Sequence, residues 1–271
     1  MDRTPLDLPR SVLLALWLAE PGAGSGPVQR TLDAVQGEDE PHRVVVPASR
    51  LAGLADGTAT LADLVAAWAS GPRTVAAVLP APGDPAGAPA VVAGPAQEAG
   101  EAVLVTTADG DFAAVPVVTR FGSVYEPGHQ VTWHVHAVPD WRTPLVGQVG
   151  TLAEAERELT TALARATEAL TTLDVARWRP DAAERIAALR STPDARGVLP
   201  PGLDPRRVRV IGSALRLRAI VDLATADDGA AVNLWQADQR TTALRDVDRA
   251  ARRALAAATH PGPDDPDPRR V

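Results

Sequence analysis

Apolar and polar residues alternate one for one across residues 130–138. Val131, Trp133, Val135 and Ala137 fall on one face of an extended chain, and Thr132, His134 and His136 on the other. A period of two predicts a half-buried β-strand. Residues 101–107 and 112–119 read as two more strands, joined by a hairpin whose Asp109-Gly110 pair suits a tight turn. Pro116 lies inside the second of them and directs that position to an edge or a bulge. Residues 43–46 add a short strand. Residues 74–79 are apolar on both faces, the pattern of a strand covered from both sides.

Helical spacing governs the remaining segments. A first helix runs from Ser11 to Glu20, where Pro21-Gly22 stops it, and a second opens at Pro27 and ends at Gly37. Thr60 and Asp63 form a capping box before Leu61, Leu64, Val65 and Trp68, the apolar face of a third helix. Residues 80–100, rich in proline, glycine and alanine, read as a loop with room for one helical turn. After Pro139 the strand pattern ceases. Thr151 and Glu154 make a second capping box, and Leu152, Ala155, Leu159, Leu163, Ala166, Leu170 and Leu173 then recur at three and four, the seam of a bundle helix. A shorter helix follows Pro180. Asp204-Pro205 opens another over residues 205–226, apolar around much of its circumference, and a last one covers residues 230–259.

The expected fold is therefore α+β. An N-terminal antiparallel β-meander with packed helices occupies residues 1–145, an all-α bundle of about four helices residues 146–259, and a disordered polar tail residues 260–271. Composition adjusts this picture. Hydrophobic residues make up 45% of the chain but aromatics only 3%, so the core is aliphatic and suits close helix packing. All 27 basic residues are arginine and 25 residues are proline, a coding bias that makes arginine number weak evidence for phosphate binding. The net charge of −7 argues against nucleic acid or an anionic membrane as partner. With no cysteine there are no disulfides, thiolate nucleophiles or cysteine metal sites. The apolar run 11–19 is too short to span a bilayer and has acidic flanks, so it reads as a buried helix of a cytoplasmic protein.

Three groupings could carry chemistry. His134 and His136 project to one face of their strand and could ligate a metal, with His42, His129 or a carboxylate as third ligand. Asn233, Gln236 and Arg240 line up on the last helix, while Arg206, Arg209, Ser213 and Arg216 share a face of the helix before it. If those two faces met, guanidinium and amide groups would converge on a carboxylate or phosphate. Against that stands a solvated arginine face. Arg240, Arg245, Arg249, Arg252 and Arg253 interleave with Asp238, Asp246 and Asp248, which reads as a self-compensated, solvated surface and not a nucleic-acid face. Trp141 and Trp178, each beside arginine and proline, read as seals of a domain joint. The chain shows no nucleophile elbow, no phosphate loop and no implied cofactor. The leading expectation is a non-catalytic binding or regulatory module acting through a protein partner. The alternatives are a binder of, or enzyme on, a small anionic ligand, and a metal-dependent enzyme built on His134 and His136.

Overall fold

The structure is a computed structural model that describes residues 8–20, 25–46, 57–123, 125–172, 197–225 and 234–260. The N-terminal half runs α1 (Arg10–Ala19), α2 (Ser25–Gln36), β1 (Arg43–Val46), β2 (Gly57–Thr60), α3 (Leu61–Ala69), β3 (Thr74–Val78), a 3₁₀ turn (Ala90–Val92), α4 (Ala93–Ala99), β4 (Ala102–Thr107), β5 (Gly110–Gly122) and β6 (Pro127–Ala137). The chain continues with α5 (Arg142–Val149), α6 (Leu152–Thr172), α7 (Pro205–Thr225) and α8 (Leu234–Thr259). The helix expected after Pro180, Trp178 and the tail from residue 261 lie outside the described residues.

The six strands form one mixed sheet in the order β2-β1-β6-β5-β4-β3. Strands β3 to β6 are the antiparallel meander, but β1 joins β6 in parallel, pairing Val44 with Trp133, and brings β2 with it. The alternating strand is thus last in sequence and internal in the sheet. Val131, Trp133 and Val135 are fully buried, while Thr132, His134 and His136 are half-buried. Strand β5 is internal only over its first half. β4 pairs with Gly110 to Ala114, and Pro116 lies past that stretch, so its missing amide is not needed by the β4 ladder. Residues 80–100 hold more helix than their composition suggests, because Pro95 falls in the first turn of α4, where no amide is needed, and Gly100 closes it at φ 73°.

Helix α1 is the pivot of the core and buries every residue except Trp17 and Ala19. Both of its ends are satisfied by distant side chains. The Ser11 amide donates to Glu101 Oε2 at 2.7 Å. At the other end Arg73 donates to the Leu18 and Glu20 carbonyls, and it reaches the Ala69 and Gly71 carbonyls at the end of α3 as well. Helix α8 covers the β3 edge. Thr259 Oγ1 accepts the Ala77 amide at 2.8 Å, and Arg252 Nη1 donates to the Leu79 carbonyl at 2.7 Å. Covering an edge in this way removes a template for unwanted strand pairing. Arg252 is therefore not solvated, as its charged neighbours suggested, but 6% exposed, with Asp248 and Asp84 satisfying its remaining donors. One continuous apolar cluster runs from Leu8 through the sheet to Ala258. Among the described residues no helix is long and apolar enough to cross a membrane.

Candidate functional site

Helices α6 and α7 lie side by side, and a groove of about 450 Å³ between them is lined by the buried Leu159 and Val210. The spacing of Arg209, Ser213 and Arg216 at four and three residues places all three on one face of α7, and all three line this groove. Opposite them α6 presents Glu156, Leu159, Thr160 and Leu163, with Leu217 and Ile220 of α7 completing the apolar lining. Glu156 is engaged by Arg206 at 2.7 and 3.0 Å, and the Thr160 hydroxyl donates to the Glu156 backbone carbonyl at 3.0 Å.

Arg216 differs from Arg206 and Arg218. Its side chain is half-buried, its Nε is sealed from solvent, and that nitrogen, like the Arg253 Nε, has no hydrogen-bond partner among the described residues. By contrast Arg206 pairs with Glu156, and Arg218 lies 3.9 Å from Asp248. A buried donor left without an acceptor costs about 1–3 kcal/mol, and more for a charged group.

A larger groove of about 580 Å³ separates α6 from α8. Its charges are largely compensated. Arg253 lies 3.5 Å from Glu158, and Arg249 sits between Asp84 at 3.6 Å and Asp246 at 3.8 Å. Its floor is Ala162, Ala243, Val247 and Ala250, a helix-packing seam. Among the described residues this groove pairs Arg249 and Arg253 with carboxylates, whereas neither Arg209 nor Arg216 of the α6/α7 groove has such a partner.

The histidines divide between the two faces of the sheet. On the Trp133 face, the Trp133 indole donates to His42 Nδ1 at 3.1 Å, and His42 Nε2 lies 3.3 Å from Asp39 Oδ2. Asp39 also accepts from Arg10 Nε at 2.8 Å, and His129 Nδ1 lies 3.6 Å from its second oxygen. Arg10 is 4% exposed and His42 is 2% exposed, so this is a buried charge network joining α1 to β6. The sequence offers no local signal for it, since 29 residues separate Arg10 from Asp39 and 91 separate His42 from Trp133. His134 and His136 project from the opposite face. Burial and the adjacent His134 push His136 below the ordinary histidine range. The third ligands that the sequence suggested, His42 and His129, are committed to Asp39 across the sheet. Among the described residues no three histidine, aspartate or glutamate side chains are gathered to hold a metal ion.

Of the residues proposed for an anion site, the structure brings together Arg209, Ser213 and Arg216, with α6 as the facing wall among the described residues. Arg206 closes one end through Glu156. Asn233 lies outside the described residues, as do the side chains of Gln236 and Arg240, whose backbone forms the opening turns of α8. Trp141 is buried just ahead of α5, and its indole nitrogen has no partner among the described residues.

No curated protein and no solved structure matches the chain. Two family models do, one described as Rv1486c-like protein, N-terminal domain, over residues 11–146, and the other as Rv1486c-like protein, C-terminal domain, over residues 153–256. The chain belongs to the Rv1486c-like protein family and carries both of its domains in order.

Proposed function

We propose that this chain is a non-catalytic cytoplasmic binding protein that holds a small anionic molecule in the groove between α6 and α7. The observation that carries this reading is that Arg209 and Arg216 line one groove and, among the described residues, neither is paired with a carboxylate. The lining supplies groups that hold a charge, Arg216, Arg209 and the Ser213 hydroxyl. Its carboxylate among the described residues, Glu156, is already neutralised by Arg206. Such a groove is equipped to retain an anion and not to move a proton. Calorimetric titration with succinate, citrate and inorganic phosphate tests it. At least one should bind, and Arg216→Gln should weaken that binding about tenfold or more, the worth of a hydrogen bond to a charged group. Unchanged affinity in the variant, or no binding of any anion, rejects the site.

Protein–protein contact is a second reading with its own observation. The β5–β6 hairpin runs on past the end of β4 and leaves Val118 41%, Phe121 46% and Tyr125 94% exposed. Exposed aromatics on an arm are the usual anchors of an interface. A Phe121→Ser, Tyr125→Ser variant should fold normally and lose any protein that co-purifies with the intact chain. Retention of that protein excludes the arm.

A further inference from the structure

We infer that the anion taken by this groove is the head of an amphiphile, an aliphatic carboxylate whose tail lies on the leucine and isoleucine lining. This names the ligand class for the site proposed above and rests on that reading. Three observations point the same way. First, the groove pairs two arginines with an aliphatic lining. Leu217 and Ile220 follow Arg216 along α7, and Leu163 across from them remains 46% exposed although it is a large apolar side chain. An exposed leucine at the mouth of an apolar groove gains most from an apolar occupant. Second, a sugar or a base would need several free donors and acceptors, and the lining offers few. The Thr160 hydroxyl is given to its own helix and Glu156 to Arg206, which leaves the Ser213 hydroxyl and the two arginines. Among the described residues no aromatic side chain lines the groove for a base to stack on. Third, the charge pattern is asymmetric. Arg216 is half-buried and Arg209 exposed, seven residues or about 10 Å apart along the helix axis. A single head group is therefore held at the deeper cation, where desolvation strengthens the contact.

The test is calorimetric titration of the full chain with butanoate, hexanoate, octanoate and decanoate below their micellar concentrations, with decylamine and succinate alongside. Each added methylene that reaches the lining should raise affinity about 4-fold, until the tail outgrows the groove. Decylamine, of equal length and opposite charge, should bind at least tenfold more weakly than decanoate. Arg216→Gln should lower affinity for every carboxylate while keeping the chain-length slope. Arg216→Lys, which keeps the charge but loses the planar guanidinium fork, should fall between. Ile220→Ser should flatten the slope and spare the head-group preference. If succinate binds as tightly as decanoate, the amphiphile is overturned and the anion site stands. If Arg216→Gln changes no carboxylate affinity, or decylamine matches decanoate, both are overturned.

Discussion

Trp133 fixes the proton inventory of His42. An indole N–H can only donate, so the Nδ1 it addresses must carry a lone pair, and the ring proton belongs on Nε2, aimed at Asp39. A second proton would set two donors against each other inside the protein. Burial holds His42 below the ordinary histidine range. The hydrogen bond and the charge of Asp39 oppose that shift, and the Arg10 charge adds to it. The consequence for stability has a definite sign. With its folded value depressed, His42 stays neutral in the native state while the unfolded chain takes up the proton. Stability is then fully present above about pH 6.5 and declines as the pH falls beneath it. Urea denaturation across that range should show this decline. Trp133→Phe, which frees Nδ1 to accept a proton, should make it shallower, and an unchanged slope would remove the indole from the account. None of these partners is adjacent in sequence. The alternation of β6 showed that Trp133 would be buried and could not show which ring it would address.

At the scale of elements, what local chemistry decides was legible. Both capping boxes are formed: Thr60 and Asp63 exchange hydrogen bonds at the start of α3, as Thr151 and Glu154 do before α6. The Thr60 hydroxyl and amide hold the Asp63 carboxyl below its ordinary range. Thr60→Ala should therefore cost about 1 kcal/mol, read from the urea midpoint, and a neutral result would mean that packing alone holds the end of α3. Partnership between elements was not legible. The Arg209, Ser213 and Arg216 face was readable from spacing, but α6 as a wall of its groove was not, because helix order along the chain does not decide which neighbours a face meets. The parallel entry of β1 beside β6 escaped for the same reason. Four residues of alternating pattern fix a strand but not its neighbour or direction.

At the scale of the molecule, the sheet and the helical half share one apolar cluster, and the join is polar where α8 meets β3. Thr259→Val removes the acceptor of the Ala77 amide and leaves that donor buried. It should cost about 1–3 kcal/mol, and the loss should register on tryptophan fluorescence of the sheet although the substitution lies on the last helix. A change confined to helix-reporting signals would show that the two halves unfold independently. The same join has a meaning in time. The Thr259 hydroxyl follows the amide it caps by 182 residues. At translation rates of roughly 5–20 residues per second, the β3 edge waits on the order of 10–35 s for its cover after leaving the ribosome. During that interval a nascent sheet with an open apolar margin is a substrate for chaperones, and a ribosome stalled before α8 would release a chain that cannot close itself.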